Sequence, residues 1–369
     1  MTPGWLPAAQ RAVQRLVGGR PFRFGFIALA VGLGGYAIAK RWGEIEPALG
    51  RIGLPIAIAA TFAVLAALFA SMKIWHVLMA GLGSPLPVPT ASRVVFLGQL
   101  GKYLPGSVWP ILAQMELAST YRVPRHRTAS SSVLAMLLSL LTGLLIALVT
   151  LPFVAGSTPY LWAFVAVPVL VACLHPRVLN PLLNRLLKLA KRPGLEQPLS
   201  GRVLASAVAW CVVAWLFNGL QIWLLASRVG APLGTAALLA VGGFAFAWSV
   251  GFLVVFAPAG VGVREVLLIT LLTPAVGAGA ATAVALVSRV VTTAGDLLVA
   301  GAASSRRRPG APAALDTRAD PGAPAAPDTR ADPAAPGAPG APAASPDDGQ
   351  LSDPVSHNAS SPSARGSRD

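Results

Sequence analysis

The chain has 369 residues, of which 54% are hydrophobic and only 12% charged, with a formal net charge of +15 at pH 7. With a mean hydropathy of +0.65, this composition excludes an ordinary soluble protein of two or three domains, because many apolar runs reach the ~20 helical residues that cross a hydrocarbon core of ~30 Å. Nucleic acid is excluded as well: Lys and Arg flank apolar runs as orientation signals do, and the aromatic residues lie inside those runs rather than among the basic ones.

The fold class read from this pattern is an all-α polytopic membrane protein with about seven to eight transmembrane helices. Residues 1–23, with Arg11, Arg15, Arg20 and Arg23, form a basic N-terminus expected in the cytoplasm. The transmembrane domain is expected over residues 24–303. Its first run is 24–39, read as a retained helix although Ala37-Ile38-Ala39 resembles a cleavage site. The second run, 54–78, carries Lys73 and His76 near its end, where a long side chain can snorkel. Pro85, Pro87 and Pro89 then mark a loop.

Residues 96–109, FLGQLGKYLPGSVW, interrupt the apolar pattern. Gly98, Gly101, Pro105 and Gly106 are poor in a helix interior, and Pro105 also lacks a backbone donor. Unwound backbone at membrane depth is tolerated only where it is buried in protein or lines a wet cavity. The stretch is therefore expected to be non-helical and to belong to a site, with Lys102 at its centre. It ends in the basic segment YRVPRHR at 121–127, which favours a re-entrant hairpin over a crossing. Spans are expected at 129–154 and 161–174. The basic loop 175–202 has leucines near helical spacing, so an amphipathic helix on the inner leaflet and an ordinary loop are both open.

Spans follow at 203–226 and 236–255, and then comes a second break, FAPAGVGVRE at 256–265. Pro258, Gly260 and Gly262 cannot continue a helix well, and Val263 or Arg264 is expected to open a new half-helix. Its free N–H groups and the planar fork of Arg264 suit a phosphate. A short apolar run at 266–272 and a last span at 280–303 complete the domain. The two halves share the order span, span, broken segment, span, which makes an internal repeat a candidate and points to a transport site between the halves. Arg306–Arg308 favour a cytoplasmic C-terminus. That placement requires one break to cross the membrane, and the second is the expected one.

Residues 304–369 differ in kind. PGAPAALDTRADP at 309–321 recurs as PGAPAAPDTRADP at 321–333. Pro, Ala, Gly and Asp dominate, so a disordered tail is expected. Asn358-Ala359-Ser360 matches a glycosylation acceptor, a motif frequent by chance.

Ionisable residues inside spans cost ~2.5–3.5 kcal/mol each on insertion scales, so each needs a reason. They are Lys102, Glu116, Arg264, Glu265, Arg289 and Asp296. Helix pinning is the expectation for Glu116 and Asp296, whereas Lys102 and Arg264 each lie at a break that water can reach. Cys173 and Cys211 have no metal spacing, and His76, His126, His175 and His357 are scattered, so neither metal nor cofactor is expected.

QLGKYLPGSVW (99–109), APAGVGVRE (257–265) and LVSRVVTTAGDL (286–297) together resemble the membrane region of lysylphosphatidylglycerol synthases, over roughly residues 24–303. Lys102, Tyr103, Pro105, Gly106, Pro258, Gly260, Gly262, Arg264, Glu265 and Arg289 fit that pattern. The resemblance implies a flippase-like protein of the bacterial plasma membrane, in a stand-alone form without the soluble aminoacyl-transferase domain. The expected function is movement of a lipid with an anionic or zwitterionic headgroup between leaflets. Lys102, Tyr103, Arg264, Glu265 and Arg289 are the candidate binding residues, membrane lipids the partners, and an enzyme of lipid or envelope synthesis a further candidate partner. The alternatives are an intramembrane transferase acting on lipid-linked sugars and an accessory scaffold subunit.

Overall fold

The computed structural model describes residues 32, 35–36, 38–104, 108–155, 166–189, 198–254, 260 and 262–305. The N-terminal segment 1–23, most of the 24–39 run, Pro105, Gly106, Pro258 and the whole tail after Ser305 lie outside the described residues. The described helices belong to the first of two compact units, residues 1–311.

Ten α-helices follow one another, with no strand among the described residues. They are α1 (Trp42–Gly81), α2 (Val88–Gln99), α3 (Trp109–Ser119), α4 (Arg125–Ala155), α5 (Ala166–Leu174), α6 (Pro176–Leu189), α7 (Gly201–Ser227), α8 (Leu233–Leu253), α9 (Val263–Val276) and α10 (Ala278–Ser305), with a 3-10 turn at Leu100–Tyr103. Five stretches among the described residues are long and apolar enough to span: Trp42–Gly81, Arg125–Phe153, Gly201–Ser227, Ala236–Leu253 and Ala278–Ser305. Helix α1 breaks at Gly53 (φ 65°, ψ 164°), a conformation costly for any residue with a Cβ. Its spanning part therefore starts where the hydropathy pattern places it, and residues 42–52 form a separate arm whose Ile45, Ala48 and Ile52 face the core.

Side-chain contacts fix the direction of each helix. Gly81 packs against Leu199 and Val203 beside the start of α7. Arg127, at the start of α4, donates to Gly83 O (2.9 Å) and Ser84 Oγ (3.1 Å). Arg93 donates to Ala303 O (3.1 Å) and Ser304 O (3.4 Å) at the end of α10, where carbonyls lack helical partners and favour a cation. The end of α1, both outer ends of the α2–α3 hairpin, the start of α4 and the end of α10 thus share one end of the bundle, here the upper end. At the lower end, Ala226, Ala231 and Ala236 cluster with Val276, and a Cβ on Gly279 would run into Glu44.

Two broken hairpins therefore enter the bundle from opposite ends. Helices α2 and α3 have 12 and 11 residues, about 18 and 16 Å, each too short to cross a ~30 Å core. Helix α8 rises from the lower end and α9 returns to it, with Val276 beside the start of α8 and Gly251 beside Gly260 at the turn. The second break does not carry the chain to the other end, contrary to expectation. A 21-residue helix reads as a crossing from hydropathy, and only the return of α9 reverses it.

The first break also differs from expectation. Residues 96–99 remain α-helical and Leu100–Tyr103 form a 3-10 turn. Gly98 and Gly101 serve close approach of the hairpin arms rather than disruption. A Cβ on Gly98 would overlap Gln114, and one on Gly101 would lie 2.8 Å from Pro110 N and Trp109 C. Residues 266–272 are part of the 14-residue helix α9 rather than an isolated run. The 175–202 loop contains α6, anchored by buried Leu179.

Candidate functional site

Both hairpin tips reach α10, the last helix. From the first tip, Lys102 Nζ lies 2.7 Å from Asp296 Oδ2, and Tyr103 Oη donates to the same oxygen at 2.6 Å. From the second tip, Glu265 Oε1 lies 3.3 Å from Arg264 Nε and 3.5 Å from Arg289 Nη1. Arg289 and Asp296 are seven positions apart on α10, two turns on one face, with Thr292 and Thr293 between them. One helix face thus holds the two hairpins through charges of opposite sign.

Helix α9 opens at Val263, after Gly260 (φ 68°) and Gly262 (φ 89°) in the left-handed region. Glu265 Oε2 accepts the Gly262 N–H at 2.7 Å, the reciprocal half of a capping box, supplied by the third residue of the helix. The half-helix N-terminus therefore already holds an internal carboxylate. A phosphate at this site would meet side-chain cations before free backbone donors.

A cavity of about 310 Å³ lies between the hairpins, lined by Lys102, Tyr103, Arg264, Arg289 and Asp296 together. Gln99, Gln114, Asn218, Thr292 and Thr293 add uncharged polar groups to it. Gln114 is oriented by Ser132, whose hydroxyl donates to Gln114 Oε1 at 2.5 Å. The rest of the lining is largely apolar, with Val64 and Leu68 of α1 and an aromatic group around Trp215. Trp215 stands edge-on to Trp248 (5.3 Å between ring centroids) and is tied to α4 by its Nε1–H, which donates to Thr142 Oγ1 at 3.1 Å. The Arg264 guanidinium sits 5.4 Å from the Phe244 ring centroid, a cation–π contact with one of the aromatic side chains that line the cavity.

Asp296 is 3% exposed and Arg264 5%, and each has an oppositely charged side chain in contact, Lys102 and Glu265 respectively. Among the described residues Asp296 Oδ1 has no hydrogen-bond partner, in contrast to Oδ2, which takes both Lys102 and Tyr103.

Of the ionisable residues read as intramembrane, Glu116 does not belong to the site. Its side chain is 71% exposed and pairs with Arg125 at 2.7 Å near the upper end. An apolar helix placed it at depth in the sequence reading, but α3 is short and Glu116 falls in its last turn. Asp296, expected to pin helices, both pins the first hairpin and lines the cavity. Asn218, Thr292 and Thr293 were missed, and for the threonines the signal was their i+3 and i+4 spacing from Arg289.

No match to a curated protein was found. Residues 25–300, well over half of the chain, match the family model described as the lysylphosphatidylglycerol synthase TM region, and the protein belongs to that membrane family.

Proposed function

We propose that this protein moves a lipid with an anionic or zwitterionic headgroup between the leaflets of a bacterial plasma membrane, and that it does so as a transporter rather than as an enzyme. One observation carries the reading. Two helical hairpins of opposite direction bring Lys102 and Arg264 to a single cavity whose lining combines a net cationic polar group with apolar and aromatic side chains. Such opposed, interrupted elements at a shared site are the recurring architecture of alternating access. A phosphate can use the Arg264 fork and the Lys102 ammonium together, while the aromatic side chains suit the glycerol and upper acyl region. Glu265 and Asp296 are each engaged by cations, an arrangement that suits charge balance better than general-base chemistry on a lipid-linked sugar.

Arg122, Arg125 and Arg127 crowd the upper end, which supports a cytoplasmic placement of that end. Both hairpins are then re-entrant, the first from the cytoplasm and the second from outside. A partner enzyme that makes or uses the lipid belongs to the same proposal. The test is a leaflet assay in reconstituted vesicles containing a headgroup-labelled phospholipid and an impermeant quencher. Protein-dependent exposure of label from the inner leaflet is expected, and a rate equal to protein-free vesicles overturns the reading.

A further inference from the structure

Helix α6 stands outside the cavity, and its contacts fix its level in the bundle. Asn180 Nδ2 donates to Leu199 O and Asn180 Oδ1 accepts the Leu199 N–H, both at 3.2 Å, just before the span α7 begins at Gly201. Buried Leu179 seats in a cluster with Leu78 of α1 and Leu204 of α7, against which Leu82 also packs. These contacts hold α6 at the upper end, level with the point where α7 enters the apolar layer. The preceding helix, α5, exposes Val169 and Val171, apolar side chains that belong in hydrocarbon. The chain breaks at His175, whose Nδ1 accepts the Arg177 N–H at 3.2 Å, and restarts with a different character. Helix α5 contains no charged residue, whereas α6 carries Arg177, Arg185 and Lys188.

The side of α6 turned away from its seat is mixed. Val178 and Arg185, seven positions apart and so on one side of the helix, are both exposed, as is Arg177. An exposed valine beside an exposed guanidinium suits the headgroup layer, where the first meets the acyl boundary and the second meets phosphate. Charge decides which lipid. Residues 175–202 carry the cations Arg177, Arg185, Lys188, Lys191, Arg192 and Arg202 against the carboxylate of Glu196 alone, and each cation near an anionic leaflet adds to the attraction. We infer that α6 is an interfacial helix that binds anionic phospholipid at the surface of the upper leaflet. This surface lies apart from the transport site and does not depend on the lipid-transport reading. Ile74 and Cys211 belong both to the cluster that seats α6 and to the cavity lining, so lipid drawn to α6 collects beside helices that line the cavity, whatever the cavity carries.

The test uses the full chain, with Cys173 and Cys211 replaced by Ala, reconstituted in phosphatidylcholine vesicles. A fluorophore on Val178→Cys reports on α6, and one on Leu238→Cys, exposed near the lower end, serves as the control. The vesicles contain either phosphatidylglycerol or phosphatidylcholine with a spin label high on the acyl chain, at equal amounts. At Val178 the anionic lipid is expected to quench about threefold more than the zwitterionic one at equal concentration, and at Leu238 the two should be equal. High salt is expected to bring the Val178 ratio close to one. In Arg177→Gln/Arg185→Gln the ratio should fall by at least half, with the unfolding temperature unchanged because both side chains are exposed. Equal quenching by the two lipids at Val178 overturns the anionic assignment, as does the same preference at Leu238. Quenching by neither lipid overturns the interfacial placement and leaves α6 facing water or a protein partner. A ratio unchanged both in high salt and in the double variant contradicts the role of the cations. Since no step of the assay involves translocation, each of these failures leaves the lipid-transport reading standing.

Discussion

Lys102 Nζ and Asp296 Oδ2 lie 2.7 Å apart, and through this pair the tip of the first hairpin is fixed to the last helix. The carboxylate is buried and the Lys102 side chain a quarter exposed, so the carboxylate in particular lacks bulk water as an alternative partner. Arg93 fixes the same hairpin to the end of α10, about two turns further on. The first arm of the hairpin is therefore held at both its tip and its base.

Removing one member of a buried pair strands the other, at a cost of about 3–5 kcal/mol, and the partial exposure of Lys102 places this pair nearer about 2 kcal/mol. Lys102→Met and Asp296→Asn are each expected to lower the unfolding temperature in detergent, whereas the double variant should recover part of the loss. A double-mutant cycle should show a coupling of at least about 1 kcal/mol. Additive effects would mean that the contact does not hold the hairpin.

The hairpin arms meet at Gly101, where a Cβ would lie 2.8 Å from backbone atoms of Trp109 and Pro110. Backbone on both sides cannot yield as a flexible side chain does. Gly101→Ala is expected to cost about 1–3 kcal/mol by overpacking and to move Lys102 away from the cavity. Thermal unfolding and lipid binding should both register it. A variant with wild-type values in both would show that the arms have room to separate.

The opposed hairpins make a directional prediction. In a background with Cys173 and Cys211 replaced by Ala, single cysteines at Val88 and Thr120 flank the first hairpin, and cysteines at Arg228 and Ala278 flank the second. An impermeant maleimide should label the first pair from one side of the membrane and the second pair from the other. Labelling of Arg228→Cys and Ala278→Cys from opposite sides would mean that the second hairpin crosses the membrane.

Much of this arrangement was legible in the sequence, and the parts that were not share a cause. Gly260 and Gly262 announced a break, and both adopt positive φ with Val263 opening the helix after them. The apolar spans were readable because hydropathy reports burial in hydrocarbon. Hydropathy does not report chain direction, so α8, long enough to cross, concealed a hairpin until the cluster of Ala226, Ala236 and Val276 placed its two ends together. Glycine is ambiguous in the same way. Gly98 reads as a breaker by propensity, yet it sits inside α2 because the Gln114 side chain occupies the space of a Cβ. Lys102, Tyr103, Arg264, Glu265 and Arg289 were all named from sequence, but their pairing depends on two hairpins meeting at α10, a relation no local pattern encodes.

The proposed transport depends on Lys102 and Arg264 binding the headgroup phosphate together in one cavity. Its most direct test is the rate of headgroup-labelled phospholipid movement in vesicles holding equal amounts of wild type, Lys102→Met or Arg264→Lys. Arg264→Lys keeps the charge and removes the planar fork, so it separates bidentate recognition from charge alone. Both substitutions are expected to slow translocation about tenfold or more, a loss of about 1.4 kcal/mol or more in barrier stabilisation. Wild-type rates in both variants, at equal insertion, would leave these residues with a structural role only and rule out phosphate binding by the pair.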